Sequence, residues 1–269
     1  MKNKVVVITG GASGIGAALG SCFGQEGSRI ALLDVDEEAL RGVERNLIAR
    51  GVDVFARTCD VTCEENCVQA IQAVLNRYAG VDVLINNAGV TQISLFRETP
   101  VPVFRRVMEV NFFGSLYCTK AALESLIARK GMIIVISSTA GVAPLMGRTG
   151  YAASKHALHG LFESLRAELF PQGVHVMMAC PGFTRTQLQS RALHRGEGRP
   201  ENDPDWVGKQ ASPEEVARAI YQGALKRKPL LILTPVGKLS YYLKKFAPAL
   251  YERMMARKLE RKFGPHAEK

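Results

Sequence analysis

Near the start of the sequence stands Val5-Val6-Val7-Ile8-Thr9-Gly10-Gly11-Ala12-Ser13-Gly14-Ile15-Gly16, an apolar run that ends in a glycine-rich turn. The β-branched run predicts a buried strand, and the Ala17-Ala18-Leu19 segment that follows predicts a helix. Glycine at positions 10, 14 and 16 permits a tight turn, close backbone approach and close helix–strand packing. The order strand, glycine turn, helix therefore predicts a helix N-terminus that receives the phosphates of a dinucleotide, although a plain strand–helix turn also uses glycine.

The same rhythm of short strands and longer helices recurs along the chain. Apolar runs predict strands over 4–9, 29–33, 53–57, 81–86, 131–137, 174–180 and 230–233, and helical spacing predicts helices over 14–26, 36–50, 63–79, 101–128, 150–170 and 213–226. The strands are apolar throughout, as in a parallel sheet that helices cover on both faces. The sequence therefore predicts an α/β fold with a doubly wound, Rossmann-type parallel sheet of about seven strands.

The length of 269 residues suits one large α/β domain and is short for two. We predict a single nucleotide-binding and catalytic domain over 1–235. Its segment 183–212 is polar, contains Gly and Pro, and follows a predicted strand, which is typical of a lid over a substrate. Residues 236–269 are predicted to form a basic amphipathic helical extension.

The apolar runs and the cysteines bear on the location of the protein and on metal binding. No secretory signal is recognisable at the start of the sequence, and no run approaches the ~20 apolar residues that cross a bilayer. Six cysteines fit a reducing compartment, so a cytoplasmic protein is expected. Cys59, Cys63 and Cys67 recur every four residues, but zinc usually takes four ligands at tighter spacings and no histidine lies near. We expect buried thiols here and no metal site.

The net charge of +10 is unevenly distributed. Residues 226–269 contain twelve Lys/Arg and three Asp/Glu, so the rest of the chain is almost neutral and no nucleic-acid interface is expected. The tail interleaves these charges with apolar residues at helical spacing, and Pro248 is expected to split it into two helices; the apolar residues are Leu239, Leu243, Phe246, Leu250, Tyr251, Met255, Leu259 and Phe263. Such helices either pack on the domain or a partner subunit, or contact an anionic membrane surface, so a membrane-associated location stays open.

Asp34 lies at the end of the second predicted strand, 18 residues beyond Gly16. A carboxylate there can accept hydrogen bonds from the ribose hydroxyls of adenosine and repels a 2′-phosphate. No Arg or Lys occurs within Gly10–Gly16 or directly after Asp34. NAD(H) is therefore expected to be preferred over NADP(H). Capping of the helix that follows is better assigned to Asp36.

Further segments follow in a fixed order: Asp60-Val61, Asn86-Asn87-Ala88-Gly89, Ser137-Ser138, Tyr151-Ala152-Ala153-Ser154-Lys155 and Pro181-Gly182-Phe183-Thr184-Arg185-Thr186. Together with the glycine turn and Asp34, they make residues 4–225 resemble the short-chain dehydrogenase/reductase (SDR) family. The resemblance implies the residues of the cofactor site. They are Thr9, Gly10, Ser13, Gly14, Ile15, Gly16, Asp34, Asp60, Val61, Asn87, Ala88, Gly89, Tyr151, Lys155, Pro181, Gly182, Thr184 and Thr186.

Tyr151 and Lys155 are four residues apart on a predicted helix and share a face. A phenol with an ordinary pKa near 10 is a weak base at neutral pH, but a nearby ammonium lowers that pKa. Tyr151 can then remove a hydroxyl proton while hydride leaves the same carbon, and can return the proton in reduction. Ser138, favoured over Ser137 by the family's spacing, would hold the substrate oxygen. Asn111 resembles the asparagine that completes the family's proton relay; an ordinary core asparagine is the alternative.

The sequence thus predicts an NAD(H)-dependent dehydrogenase or ketoreductase acting on a secondary alcohol or ketone. A non-catalytic NAD(H)-binding regulator and an epimerase without net redox are the alternatives. Segments expected to border the substrate are apolar and indicate a hydrophobic substrate; the residues concerned are Leu145, Met146, Phe183, Leu188, Leu193 and Trp206. The resemblance further implies a homodimer or homotetramer formed through helices 101–128 and 150–170. His156 and His159 are expected to pack rather than to catalyse.

Overall fold

The computed structural model describes residues 1–189, 191–193 and 210–263, with the side chains of 258–263 excepted. It contains a seven-stranded parallel sheet in the order β3-β2-β1-β4-β5-β6-β7. The strands are β1 (Val5–Thr9), β2 (Arg29–Asp34), β3 (Val54–Thr58), β4 (Val83–Asn86), β5 (Met132–Ile136), β6 (His175–Cys180) and β7 (Leu230–Ile232). The predicted doubly wound sheet is therefore confirmed, because continuous apolar runs are what a sheet covered on both faces requires.

Helices cover both faces of this sheet. They are α1 (Gly14–Gln25), α2 (Glu37–Ala49), α3 (Glu64–Tyr78), α4 (Val101–Met108), α5 (Gly114–Ala128), α6 (Thr149–Leu169) and α7 (Pro213–Leu225). Successive residues of β1 point to opposite faces. Val6 and Ile8 pack in the core that α1, α2 and α7 cover, and Val5 and Val7 pack in the core that α3, α5 and α6 cover.

The predicted helix 101–128 was wrong as one regular helix. A π-helical turn, Glu109–Phe113, lies between α4 and α5 and carries the fully buried Asn111. The Asn111 Oδ1 atom accepts from Val90 N at 2.8 Å, and its Nδ2 atom donates to Ser154 Oγ at 2.8 Å. The π-turn, which holds one residue more than an α-helical turn, thus carries the asparagine that contacts two other segments. Turns of this kind are frequent at functional sites.

The order of the strands creates a crevice at one edge of the sheet. β1 lies between β2 and β4. From β1 the strands continue through β2 to β3 at one edge of the sheet, and from β4 they continue through β5 and β6 to β7 at the other. In open parallel sheets, ligands bind outside the carboxyl ends of the strands at such a switch point. Asp34 is the last residue of β2, and the glycine turn, Asn87 and Ser138 follow the carboxyl ends of β1, β4 and β5.

The segment 183–212, predicted as a lid, is described only at its two ends, and Trp206 lies outside the described residues. Leu193 N donates to Thr91 O at 2.8 Å, which joins this part of the segment to the loop after β4. Thr184 pairs with Ala211 in an isolated bridge, so the two described ends of the segment lie side by side.

The basic extension forms two helices, α8 (Pro235–Phe246) and α9 (Pro248–Phe263). The break at Pro248 is as predicted, because proline fits the first turn of a helix and not its interior. One side of the pair packs on the body through Gly237 and Tyr251, whose hydroxyl donates to Pro144 O at 2.9 Å. Another row stays exposed and apolar; it consists of Val236, Leu239, Tyr242, Phe246, Leu250 and Met254.

The cysteines correct one expectation. All six are free, and Cys59 and Cys67 are buried, but Cys63 is exposed at the start of α3. The expectation of buried thiols was therefore wrong for Cys63. Within the described part of the chain, no group of three metal-ligand side chains is found, and no helix is long and apolar enough to cross a bilayer.

Candidate active site

A cavity of about 310 Å³ opens at the carboxyl edge of the sheet. It is lined by residues from the connections after β1, β2, β3, β4, β5 and β6 together with the first two turns of α6. Most of the site residues predicted from the sequence line it: Gly10, Ser13, Gly14, Ile15, Asp34, Asp60, Val61, Asn87, Ala88, Gly89, Ser138, Tyr151, Lys155, Pro181, Gly182, Thr184 and Thr186. Thr9, Gly16 and Asn111 lie behind this lining.

The glycine turn is held in place by the loop after β4. Thr9 Oγ1 accepts from the backbone N–H groups of Asn87 and Ala88, each at 3.0 Å. The Asn87 amide donates to Thr9 O at 2.9 Å and to Gly10 O at 3.0 Å. A β-carbon at Gly16 would collide with the Gly10 carbonyl, so this close packing requires glycine. Thr9, Gly16 and Asn87 therefore fix the shape of the turn.

The N-terminus of α1 faces the cavity without a side-chain cap. Gly10 and Gly14 have φ of +66° and +52°, which only glycine adopts without strain. Ser13 precedes the helix in extended conformation, and its hydroxyl makes no capping hydrogen bond. The first N–H groups of α1 can therefore donate to an anion such as a pyrophosphate.

Asp34 and Asp36 divide two roles. Asp34 Oδ2 accepts from Ala12 N at 2.9 Å and Oδ1 from Asp36 N at 3.1 Å, so the carboxylate is oriented beside the glycine turn. Asp36 caps α2 by accepting from Ala39 N at 3.1 Å, as the sequence predicted. Burial would raise the pKa of Asp60, but hydrogen bonds from Thr62 and the charge of Arg106 hold it below its usual range. Both Asp34 and Asp60 thus offer carboxylates at one end of the cavity.

Two adjacent serines follow β5 and face different partners. Ser137 is buried, and its Oγ lies 3.1 Å from His159 Nε2, while His159 Nδ1 lies 2.8 Å from Glu163 Oε1. Ser138 caps the short 3₁₀ turn Thr139–Gly141, accepting from Ala140 N at 3.1 Å. Burial raises the pKa of Tyr151, and a hydrogen bond with the Ser138 side chain opposes this rise. Of the two hydroxyls, that of Ser138 therefore lies beside the tyrosine.

Tyr151 and Lys155 lie one turn apart on α6, and both are buried. Burial raises the pKa of Tyr151, which Ser138 and the charge of Arg148 oppose. Burial lowers the pKa of Lys155 to about 8. Lys155 Nζ donates to Ile136 O at 2.8 Å and lies 5.7 Å from the centroid of the Tyr151 ring. The arrangement places a phenol and an ammonium with a lowered pKa at the same wall of the cavity.

Asn111 approaches Lys155 across Gly89. A β-carbon at Gly89 would lie 3.2 Å from Asn111 Oδ1 and 3.6 Å from Lys155 Nζ. Only a glycine therefore leaves this gap between the two polar groups open. Of the two histidines after Lys155, His156 contacts Ala152 O at 2.9 Å on its own helix and does not line the cavity.

The segment after β6 closes the far side. Thr139 N donates to Pro181 O at 3.1 Å, and Thr184 Oγ1 donates to Gly182 O at 3.3 Å. The Thr186 methyl group lies 3.1 Å from the position that a β-carbon on Gly14 would take. Thr186 thus lies directly opposite the glycine turn. Leu145, Phe183 and Leu188 also line the cavity, as predicted, whereas Met146 and Leu193 are not among the lining residues.

Several lining residues carry no signal in the sequence. Four of them are polar: Arg148 and Gln189 contact each other, Arg106 lies near Asp60, and Arg191 lies near Asp36. Arg191 Nη2 lies 3.8 Å from Asp36 Oδ2. Arg148 precedes Tyr151 by three residues, which the family pattern does not mark. These positions are revealed by spatial proximity alone.

Comparison with known proteins agrees with this geometry. The family model described as short chain dehydrogenase matches residues 4–196. "Dehydrogenase/reductase SDR family protein 7-like" of Drosophila melanogaster is 37% identical over 265 residues, covering 96% of this chain and 81% of that protein. "Dehydrogenase/reductase SDR family member 7B" of Danio rerio is 35% identical over 276 residues, covering 98% and 88%.

Solved structures show the same fold. A short-chain dehydrogenase/reductase from Burkholderia phymatum in complex with NAD superposes with a TM-score of 0.83 at 26% identity, covering 93% of this chain and 95% of that one. Actinorhodin polyketide ketoreductase with NADPH superposes with a TM-score of 0.77 at 30% identity, covering 87% and 97%. The chain belongs to the short-chain dehydrogenase family.

Proposed function

We propose that this chain is an NAD(H)-dependent dehydrogenase or ketoreductase that acts on a secondary alcohol or ketone with an apolar body. The observation that carries the proposal is one cavity lined at one end by the glycine turn and Asp34 and at the other by Ser138, Tyr151 and Lys155. A nicotinamide cofactor supplies or accepts hydride when bound. The residues of this chain bind, orient and move a proton.

The cofactor site fits a dinucleotide on three grounds. The N-terminus of α1 presents uncapped N–H groups for the pyrophosphate, and Gly10 and Gly14 let the backbone approach it. Asp34 is oriented beside the turn to accept from ribose hydroxyls. We propose that Val61, Ala88 and Ile15 contact the adenine or nicotinamide rings, and that Thr186 and Pro181 hold the carboxamide end.

The preference for NAD(H) rests on charge at the adenosine end. A 2′-phosphate beside Asp34 would meet the carboxylate, which repels it. Arg191 supplies a cation in this region, but it is 3.8 Å from Asp36, whose charge opposes it. Among the solved relatives, one is described with NAD and another with NADPH. The balance of Asp34 and Asp36 against Arg191 favours NAD(H) here.

The proton chemistry is assigned to Tyr151. In oxidation, phenolate removes the hydroxyl proton of the substrate as hydride leaves the same carbon; in reduction, the phenol donates the proton to the carbonyl oxygen. Ser138 hydrogen-bonds that oxygen and stabilises developing charge. Ser137 is engaged with His159, which supports Ser138 in this role.

Lys155 and Asn111 are proposed to complete the proton path. The Lys155 ammonium stabilises the phenolate and passes protons toward solvent through the gap beside Gly89, which Asn111 Oδ1 borders. A lysine pKa of about 8 suits transfer near neutral pH. This role distinguishes Asn111 from an ordinary core asparagine, because its side chain faces the gap as well as Val90.

The remaining proposals concern organisation. We propose residues 1–235 as one domain with 183–212 as its lid, in a homodimer or homotetramer formed through α4–α5 and α6. We propose a cytoplasmic location, in keeping with six free cysteines. We also propose that α8 and α9 contact an anionic membrane surface, because a row of exposed apolar side chains lies beside exposed Lys238 and Lys245.

The test is turnover with controls that separate the alternatives. Purified full-length protein is mixed with NADH and a panel of ketones, or with NAD⁺ and the matching alcohols, while absorbance of reduced nicotinamide is followed. We expect turnover with NADH that Tyr151→Phe abolishes without loss of cofactor binding. Cofactor binding with no turnover of any member would favour the regulator, and interconversion of stereoisomers without a net change in NADH would favour the epimerase.

A further inference from the structure

Arg148 occupies an unusual position for a charged residue. It stands immediately before α6, three residues ahead of Tyr151, and lines the cavity together with Tyr151 and Ser138. Only 6% of its surface is exposed. Charged side chains this buried are rare unless paired, because removing a charge from water is energetically costly. The residue therefore needs an explanation that packing alone does not give.

The backbone around Arg148 is fixed from both sides. Ser94 N donates to Gly147 O at 3.0 Å, and Gly150 N donates to the buried Gln92 Oε1 at 3.1 Å. Gly147 has φ of +64°, a conformation that favours glycine. The loop after β4 thus clamps the residues before and after Arg148. The backbone that carries the Arg148 side chain is therefore fixed at the cavity wall.

The partners of this guanidinium are neutral. Arg148 Nη1 donates to Thr91 Oγ1 at 2.7 Å, and Nη2 donates to Gln189 Oε1 at 3.5 Å. No Asp or Glu in the described ranges 1–189, 191–193 and 210–257 forms an ion pair with it. The contrast is Asp82, equally buried, which receives Lys4 at 2.9 Å and Arg129 at 3.2 Å. Burial lowers the pKa of Arg148, as expected for a cation without an anion.

We infer that Arg148 binds an anionic group of the substrate, a carboxylate or a phosphate, and so holds the reacting carbon against Ser138 and Tyr151. A guanidinium has five N–H donors in a planar fork, and Thr91 and Gln189 engage two of them. The planar fork matches a carboxylate or phosphate in bidentate geometry. Leu145, Phe183 and Leu188 receive the apolar body of the same molecule. The substrate is thus an oxo- or hydroxy-compound with an apolar chain and an anionic group; this rests on the proposed carbonyl chemistry.

One other role for Arg148 fits part of the geometry. Burial raises the pKa of Tyr151 and the charge of Arg148 opposes that rise, so Arg148 could act on the phenol rather than on the substrate. The two roles differ in the substrates whose turnover depends on Arg148. A residue that acts on Tyr151 affects every substrate alike, whereas an anion-binding residue distinguishes a carboxylate from its ester.

The first experiment uses matched substrates. Full-length protein and Arg148→Gln are assayed with NADH on 3-, 4- and 5-oxooctanoate, on their methyl esters, and on the corresponding oxo-phosphonates. We expect the best anion to exceed its neutral ester in kcat/KM by about 30-fold or more, and Arg148→Gln to lower kcat/KM for the anion by about 10- to 100-fold. The ester should change by less than about 3-fold. Arg148→Lys should retain part of the preference.

The outcomes separate cleanly. Comparison of carboxylates with phosphonates identifies the anion. Equal loss for anion and ester in Arg148→Gln would assign Arg148 to Tyr151 and overturn the inference, as would a wild-type protein without any preference for the anion. Arg97→Gln is the charge control, because Arg97 is exposed and pairs with Glu98; it should leave the ratio of anion to ester unchanged.

A second readout does not need turnover. Octanoate and octanamide are titrated into the NADH-bound full-length protein, and binding is followed by calorimetry. We expect octanoate to bind more tightly than octanamide by about 10-fold or more, and Arg148→Gln to remove the difference. If no ketone is reduced but this difference is found, the anion site stands and the proposed reaction fails. If the ketone of the neutral oxo esters is reduced but octanoate and octanamide bind equally tightly, the proposed reaction stands and the anion site is overturned.

Discussion

Lys155 Nζ lies 5.7 Å from the centroid of the Tyr151 ring and donates to the carbonyl of Ile136 at 2.8 Å. Both side chains are buried, and burial opposes the charged form of each: it raises the pKa of the tyrosine and lowers that of the lysine. Burial thus disfavours both the phenolate and the ammonium. The fold places the two groups where the charged form of each can stabilise that of the other. Such pairs are typical of groups that exchange protons during a reaction.

Removal of the Tyr151 hydroxyl tests the acid–base role. We expect Tyr151→Phe to lower kcat by about 100- to 10,000-fold, since general acid–base catalysis contributes on that order. NADH affinity should stay within a few-fold, because the glycine turn and Asp34 are unchanged. Fluorescence titration of NADH, together with steady-state kinetics, measures both quantities. A variant that keeps more than about a tenth of the activity would show that another group moves the proton.

Lys155 should lower stability while it supports activity. Its folded-state pKa of about 8 lies below the ordinary lysine value of 10.5, so between these values the unfolded chain binds more protons than the folded one. Stability then rises with pH across this window, and the full penalty is present below pH 8. We expect Lys155→Met to raise the free energy of unfolding at pH 7 by on the order of 1–3 kcal/mol while abolishing turnover.

The measurement is denaturant unfolding of wild type and Lys155→Met between pH 7 and pH 10. The difference between the two proteins should shrink as pH rises, because the wild-type lysine loses its proton in the fold. Lys226→Met is the control, since Lys226 is exposed at the end of α7. A difference that stays constant across this range would show that the buried lysine carries no such penalty.

Gly89 should matter for proton transfer more than for stability. Its missing side chain leaves open the gap between Asn111 Oδ1 and Lys155 Nζ, and a methyl group would stand 3.2 Å and 3.6 Å from them. We expect Gly89→Ala to lower kcat by about 10-fold or more, with a loss of at most about 1–2 kcal/mol in stability. Gly42→Ala is the matched control, because no atom lies within 4 Å of the new β-carbon. That change within α2 should stabilise the protein by about 0.5–1 kcal/mol; a similar small effect of both changes on kcat would contradict the relay.

The sequence predicted those parts of the molecule that local pattern determines. Seven continuous apolar runs became seven strands, and the glycine turn with Asp34 lies at the switch point as expected. The π-helical turn was missed, because the spacing of apolar residues over 101–128 fits a regular helix. Asn111 is drawn to Val90 and Ser154, which lie 21 and 43 residues away in the sequence.

Arg148 was not predicted as a site residue for the same physical reason. Its partners Thr91 and Gln189 are 57 and 41 residues distant, so a lone arginine before Tyr151 resembles an ordinary solvated helix start. Only the fold shows that it is buried with no acidic partner among the residues that the structure describes. The proposed substrate recognition thus depends on long-range contacts, whereas the proposed reaction chemistry lies in short motifs that can be recognised locally.

Asp34 should set the cofactor preference. We expect wild type to use NADH with kcat/KM at least about 10-fold above that for NADPH, and Asp34→Ala to reduce this ratio to near unity, because the carboxylate that repels a 2′-phosphate is gone. Asp34→Ala also frees Ala12 N, so affinity for both cofactors should fall. Asp36→Asn removes only the charge that opposes Arg191, because asparagine also caps α2, and it should lower the ratio by less than Asp34→Ala does. A wild-type preference for NADPH would show that Arg191 outweighs both carboxylates.

The exposed row on α8 and α9 should bind anionic bilayers. Phe246 is 76% exposed and Leu239 65%, at a spacing that puts both on one side of α8, beside Lys238 and Lys245. We expect full-length protein to co-sediment with vesicles that contain anionic lipid far more than with neutral ones, and to release in about 0.5 M salt, where charge attraction is screened. The double variant Leu239→Ser, Phe246→Ser should lose binding, because the apolar contact supplies the insertion. Phe170→Ser is the matched control, since Phe170 is 81% exposed at the end of α6. Absence of wild-type binding, or equal binding to anionic and neutral vesicles, would contradict the proposed contact with an anionic surface, and dissociation of an oligomer by the double variant would assign the row to a partner subunit.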